Sequence, residues 1–248
     1  MKNIPVYEPL FLGNEKKYLQ RCINSNWVSA DGYFVQKFEE EFAKWSGNKY
    51  AIAVNSGTAA LETAIWSTIK KDNLILIPNS TIISCYIAAK RVTDCIGFYQ
   101  NDLTQNNTFW ENVVVCHLFG HFNNTTAISG FITIDDASQY WQPFYAKFAI
   151  CYSLFGNKLI TSGEGGVIVT NNKEIYEKAK SYRNLCHSKE RFIHNEIGYN
   201  FRMSNLQGAV ALAQLEQIDK FIEIKQKNKD LYKKYLPDTV KILFDVNV

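Results

Sequence analysis

One lysine, Lys158, stands alone in the stretch SLFGNKLITSGEGGVIVTNN (153–172), between an aromatic-glycine turn and a second glycine-rich run. Burial beside such a turn disfavours the ammonium form, and a lysine without its proton is an amine nucleophile toward a carbonyl. Ser153 opens the same stretch with a hydroxyl. In NSGT (55–58), Gly57 lets the chain turn tightly into a helix. The amides of Gly57, Thr58 and Ala59 then form an anion site at the helix N-terminus, with the Thr58 hydroxyl as an added donor. In IDDASQ (134–139), Asp135 and Asp136 close an apolar strand and point to opposite sides, so one of them faces the crevice at the strand's carboxyl end. A carboxylate there could hold a cation, a ribose hydroxyl or a protonated ring nitrogen, or simply cap the following turn. GYNFRMSN (198–205) is a polar-aromatic loop that feeds a helix.

Taken singly, each piece has an ordinary reading as a surface lysine, a helix cap or a turn. Together they supply what pyridoxal phosphate requires. Its phosphate needs donors, its ring nitrogen needs a carboxylate that keeps it protonated, and its aldehyde needs a lysine. Lys158 is the lysine that this reading selects.

The elements that must position these groups follow from periodicity. NEKKYLQRCI and FVQKFEEEFAKW have helical spacing, with Phe34, Phe38 and Phe42 on one face. YAIAV (50–54), LILIP (74–78), NVVVCHL, GFITIDD, KFAICYSLF and GGVIVTNN read as strands, most of them continuously apolar. A helix follows NSGT with Leu61, Ala64, Ile65 and Ile69 as its buried stripe, and ISCYIAAKR is another. Apolar strands between helices indicate an α/β fold whose sheet is covered on both faces. Ser204 and Gln207 form a capping box. From it a helix runs to residue 222 with Ala211, Leu212, Leu215, Ile218 and Ile222 on one side and Leu206 and Val210 on the other. A helix apolar on two sides is buried in a core or between subunits. Beyond residue 223 the chain is charged, and ILFDVNV reads as one further strand.

Composition narrows the function classes. With 248 residues, 46% of them apolar, a substantial core is within reach. A net charge of +3 without a basic-aromatic module argues against nucleic acid. No apolar run reaches membrane-span length, and MKNIPVYEPL has no apolar leader core, so a cytoplasmic enzyme is expected. Six cysteines without a C-x-x-C pair read as buried thiols, and HLFGH reads as one packed and one surface histidine. No metal centre is expected.

The segments WVSADGYFVQKFEEEFAKW, AVNSGTAALETAI, HLFG, IDDASQ, SLFGNKLITSGEGGVIVTN and GYNFRMSNLQGAVALAQLEQI resemble the DegT/DnrJ/EryC1/StrS family of sugar aminotransferases. The FGNK variant is similar to perosamine-synthase-like members, which act on a GDP-linked 4-keto-6-deoxy sugar. The resemblance implies the large domain of a fold-type I pyridoxal enzyme: a mixed, mainly parallel sheet with helices on both faces, active as a homodimer with shared sites. It implies an amino-acid donor, glutamate, and a nucleotide-sugar acceptor. By position, Lys158 would bond the cofactor, Asp136 would meet the pyridine nitrogen and Gln139 the ring hydroxyl. Gly57, Thr58 and Ser153 would hold the phosphate, with Asn200 arriving from the other subunit. Dehydratase members carry histidine in place of the lysine, so Lys158 favours amino transfer.

The chain also departs from the family pattern. Ile82 replaces an aromatic that stacks on the cofactor ring, leaving aliphatic contact or another residue such as Tyr86 to serve. Segments 99–115, 121–132 and 140–150 are shorter than usual. Most of a small C-terminal domain is missing, so the expected division is a cofactor-binding large domain at 1–222 and the start of a truncated region at 223–248. The alternative reading is therefore a truncated, non-catalytic homologue that binds the cofactor, or a half-enzyme completed by a separate C-terminal part.

Overall fold

In the computed structural model the described residues are 5, 7–100, 111–123, 132–188, 192–237 and 239–240. The chain runs α1 (Glu15–Asn24), α2 (Tyr33–Ser46), β1 (Tyr50–Val54), α3 (Gly57–Thr68), β2 (Ile75–Pro78), α4 (Ile83–Val92), β3 (Ile96–Tyr99) and β4 (Asn112–Cys116). A short 3₁₀ turn follows at Leu118–Gly120. Then come β5 (Ile132–Asp136), β6 (Ala149–Ser153), β7 (Gly166–Thr170), α5 (Lys173–Arg183), α6 (Asn205–Leu215) and α7 (Ile218–Tyr235).

The strands form one seven-stranded sheet in the order β1-β7-β6-β5-β4-β2-β3. The pairs from β3 through β6 are parallel, while β7 runs antiparallel to both β6 and β1. This is the expected mixed, mainly parallel α/β sheet. Alternation along the strands divides the core in two. Ala51, Ala53, Ile150, Tyr152, Val167 and Val169 face α2 and α6. Ile52, Val54, Ala149, Cys151 and Ile168 face α3, α4 and α5. Phe34, Phe38 and Phe42 are all buried, as their spacing predicts.

Three elements differ from the sequence reading. The helix expected to run from 204 to 222 breaks at Glu216–Gln217 into α6 and α7. Most of the apolar surface of α6 finds cover within the chain. Ala211, Leu212 and Leu215 join the core, and Leu206 packs partly against it. A side chain at Gly208 would lie 2.8 Å from the Val35 amide, so α6 sits directly on α2. Most of the apolarity of this helix is thus explained within the chain, while Val210 stays only partly buried. Strand β3 and helix α5 have no counterpart in the periodicity reading. Strand β3 is a four-residue edge strand paired with β2 alone, and its Phe98 is exposed. The strand expected at ILFDVNV lies outside the described residues.

Candidate active site

The carboxyl ends of β4, β5 and β6 and the N-terminus of α3 surround one cavity of about 290 Å³. Ser56 ends the loop after β1 in an extended conformation and caps α3, its hydroxyl accepting the Ala59 amide at 3.1 Å. The Ala59 amide is thus already taken, and Ala59 is buried away from the cavity. Of the three residues expected to offer amides to an anion, Gly57 and Thr58 line the cavity and Ala59 does not. Gly57 is also required for a different reason from a tight turn, since its φ is not in the left-handed region. A Cβ there would lie 2.7 Å from Ser153 Cβ and 2.9 Å from Ser153 Oγ, so the missing side chain lets α3 approach β6. The Thr58 hydroxyl donates to Ser84 Oγ at 3.1 Å.

The aspartate doublet divides as its position in a strand requires. His117 Nδ1 accepts the Asn123 amide at 3.1 Å, so the ring proton is on Nε2 and is donated to Asp135 Oδ1 at 3.1 Å. Asp136 faces the cavity. Its Oδ1 accepts the Ser138 amide at 3.0 Å and its Oδ2 accepts the Cys85 thiol at 3.3 Å.

Lys158 sits in the turn after β6. The loop folds back through Leu154, whose amide donates to the Gly165 carbonyl at 2.9 Å and whose carbonyl accepts the Ser162 amide at 3.0 Å. Thr161 Oγ1 donates to the same carbonyl at 3.0 Å and accepts the Gly163 amide at 2.9 Å. Gly163, with φ +82°, takes the left-handed residue that closes the turn. Tyr7 holds the Lys158 carbonyl at 2.5 Å. The side chain is half-buried and lines the cavity, and desolvation lowers its pKa while the nearby Asp136 charge partly offsets this. The glycine-flanked lysine therefore has the environment its sequence suggests.

Gly57, Thr58, Asp136, Gln139, Ser153 and Lys158 all line the cavity. Gln139 Oε1 accepts the Phe119 amide at 2.6 Å, in a turn where Phe119 has φ 56° and a largely exposed ring. Asn200 does not line it. It is exposed and borders a separate depression with Asn184, Arg202 and Ser204. Ile82 lines the cavity and is 46% exposed, whereas Tyr86 stacks on Phe98 elsewhere. The aliphatic replacement, not Tyr86, faces the site. Sequence reasoning missed Ser84, His117, Ser138, Asn157 and Glu164 as lining residues. Ser84 had a signal in its place on the first turn of α4, after β2 of the same sheet edge. His117 is buried as the packed histidine and His121 is exposed, as expected. The cysteines are all free, five of them buried, and Cys85 and Cys116 lie beside Asp136.

The pattern of the DegT/DnrJ/EryC1/StrS aminotransferase family matches residues 12–97 and 145–246. The chain is 34% identical to a GDP-perosamine synthase of Escherichia coli O157:H7 over 98% of this chain and 74% of that protein. It is 32% identical to a GDP-perosamine synthase of Vibrio cholerae over 94% of this chain and 71% of that one. Among solved structures, Helicobacter pylori PseC, an aminotransferase involved in the biosynthesis of pseudoaminic acid, superposes with a TM-score of 0.83 at 24% identity, covering 96% of this chain and 71% of that chain.

Proposed function

The chain belongs to the DegT/DnrJ/EryC1/StrS aminotransferase family, and from that premise we propose that it transfers an amino group to a nucleotide-activated keto-sugar with pyridoxal phosphate as cofactor. The acceptor in this reading is of the GDP-linked 4-keto-6-deoxy type, in line with the perosamine synthases it resembles, and the donor is glutamate. The observation that carries the reading is a half-buried amine, a buried carboxylate and the helix-start residues Gly57 and Thr58 around one cavity.

The donor set suits the cofactor. The space a Cβ would fill at Gly57 is what brings the α3 amides and the Ser153 hydroxyl together, as a phosphate cradle needs. In the proposal Gly57, Thr58 and Ser153 hold the phosphate, Asp136 holds the ring N–H, Gln139 reaches the ring hydroxyl and Lys158 bonds the aldehyde. When bound, the cofactor supplies an electron sink for charge developing at the donor's α-carbon. Asp136, fixed by the Ser138 amide, keeps that sink protonated. Lys158, with its ammonium disfavoured by burial, takes the α-proton as a free amine and returns it as an acid. His117, held by Asp135, closes the cavity beside Asp136.

The same proposal makes the enzyme a homodimer with shared sites, the partner subunit's Asn200 completing the phosphate cradle. Its support is the exposed position of Asn200 outside its own cavity, and the exposed Ile82, Ile83, Phe119 and Phe155, of which Ile82 and Phe155 rim the cavity. Apolar side chains exposed at a site mouth suit a covering surface. The division at residue 222 is likewise proposed, and α7 crosses it as continuous helix. A cytoplasmic location fits the six free cysteines. No helix among the described residues is long and apolar enough to cross a membrane.

The test is the visible absorption spectrum of the purified protein loaded with pyridoxal phosphate. Glutamate should shift the cofactor band, and a GDP-linked 4-keto-6-deoxy sugar should shift it back with an aminated sugar as product. A band that glutamate leaves unchanged would contradict amino transfer, and a glutamate response with no return by any keto-sugar nucleotide would contradict the acceptor class.

A further inference from the structure

Cys85 of α4, Cys116 of β4 and Asp136 of β5 come from three separate elements and meet in the interior, where Asp136 alone of the three lines the cavity. Their Sγ, Sγ and carboxylate oxygen atoms all lie within 4.8 Å of one another, and all three side chains are buried. Cys85 Sγ is 3.5 Å from Cys116 Sγ and 3.3 Å from Asp136 Oδ2. Thr81 Oγ1 touches both sulfurs, at 3.0 Å from Cys116 and 3.4 Å from Cys85.

We propose that Cys85, Cys116 and Asp136 form a binding site for one soft divalent cation of the zinc–cadmium class, and that this cation and the cofactor exclude one another at Asp136. The distances suit such an ion. In a tetrahedral centre with metal–sulfur bonds of about 2.3 Å, two thiolates stand about 3.8 Å apart. The sulfurs here need to open by only a few tenths of an ångström to reach that spacing. Two thiolates and a carboxylate form a mixed soft and hard donor set that suits zinc better than magnesium or calcium. In this proposal water reaching the ion from the cavity that Asp136 lines would take the fourth position.

The protonation chemistry balances. Without a cation, contact with Cys116, burial and the Asp136 charge all keep the Cys85 thiol protonated. A bound cation reverses this order, because a coordinating thiol is deprotonated outright. Two metal–sulfur bonds form, and two thiol protons leave to solvent. The Thr81 hydroxyl then donates to thiolate. The ion with two thiolates and one carboxylate carries one net negative charge. Lys158 lines the same cavity as Asp136. Cation binding stands without the aminotransferase reading. The exclusion rests on that reading, because the cofactor's ring N–H would claim the carboxylate that ligates the ion.

The test titrates the full chain with Cd²⁺, whose thiolate complexes absorb in the near ultraviolet, with and without pyridoxal phosphate. The expected result is a charge-transfer band that saturates at one ion per chain and releases two protons per ion. The band should be absent in Cys85→Ser and in Cys116→Ser, and present in Cys95→Ser, which alters the exposed thiol. Thermal melting of the variants establishes that they fold, and Cys116→Val replaces any serine variant that does not. Saturating Cd²⁺ should weaken cofactor binding by about tenfold or more, as competition for one group requires. No band in the wild-type chain, or a band that survives loss of both Cys85 and Cys116, overturns the metal site. A band with unchanged cofactor affinity overturns the exclusion alone. A chain that binds Cd²⁺ as described but no pyridoxal phosphate leaves the metal site standing and contradicts the proposed function.

Discussion

Asp135 and Asp136 are adjacent in β5, yet their carboxylates do separate work: Asp135 Oδ1 takes the Nε2 proton of His117 at 3.1 Å, while Asp136 faces the cavity that Lys158 lines. The pleat of the strand enforces this division, since successive side chains point to opposite faces. Asp136→Ala should therefore slow the half-reaction with glutamate by on the order of a hundredfold or more, because the electron sink loses its countercharge. Asp135→Ala leaves the buried His117 N–H unpaired and should cost roughly 1–3 kcal/mol of stability, with a smaller effect on the half-reaction. Stopped-flow spectra and urea melts of the two variants measure both quantities. If Asp135→Ala is the more damaging change to the half-reaction, the assignment of the two carboxylates is reversed.

Gly57 has a packing role that a single methyl should expose. The Cβ of Gly57→Ala would lie 2.7 Å from Ser153 Cβ, and both residues belong to buried, well-packed elements. The expected cost is about 1–3 kcal/mol of stability, with a weaker hold on the cofactor as α3 is pushed from β6. Fluorescence titration with pyridoxal phosphate reads the second effect. Affinity equal to wild type would show that the close approach of α3 to Ser153 does not shape the phosphate cradle.

Lys158 should be reactive at lower pH than an ordinary lysine. Desolvation disfavours its ammonium, so its amine becomes free below the usual value of about 10.4. The Asp136 charge opposes this shift, so removing it in Asp136→Asn should move the midpoint lower still. The rate of reductive methylation at Lys158, followed by peptide mapping across pH, gives the midpoint. A midpoint at or above that of the exposed lysines, or an upward move in Asp136→Asn, runs against the stated cause.

Asn200 is the group whose role depends on a second subunit. Loss of a charge-assisted hydrogen bond to phosphate should cost roughly 1.5–3 kcal/mol, about ten- to a hundredfold in cofactor affinity. Mixing Lys158→Ala with Asn200→Asp should restore part of the cofactor binding, because a mixed dimer with shared sites holds one site with both lesions and one with neither. Sedimentation checks the assembly. A monomer at micromolar concentration, or no recovery in proven mixed dimers, excludes the shared site.

Much of the site was legible because local sequence fixed local geometry. The lysine turn reads from its glycines, and the aspartate doublet from the apolar run of β5. What was not legible depends on contacts between distant elements. Ser56 takes the Ala59 amide by capping its own helix, a competition that NSGT leaves open. The break between α6 and α7 interrupts an apolar spacing that itself continues from Leu215 to Ile218. Strand β3, IGFY, is four residues long at the edge of the sheet and carries no polar–apolar alternation to read. The meeting of Cys85, Cys116 and Asp136 has no linear spacing at all, because three elements bring them together.

Borohydride reduction of the protein loaded with pyridoxal phosphate, followed by peptide mapping, measures directly whether Lys158 carries the cofactor. The expected result is one pyridoxyl group per chain, on Lys158 in the peptide that follows β6. A pyridoxyl group on any other lysine, or none on a chain saturated with cofactor, would contradict it.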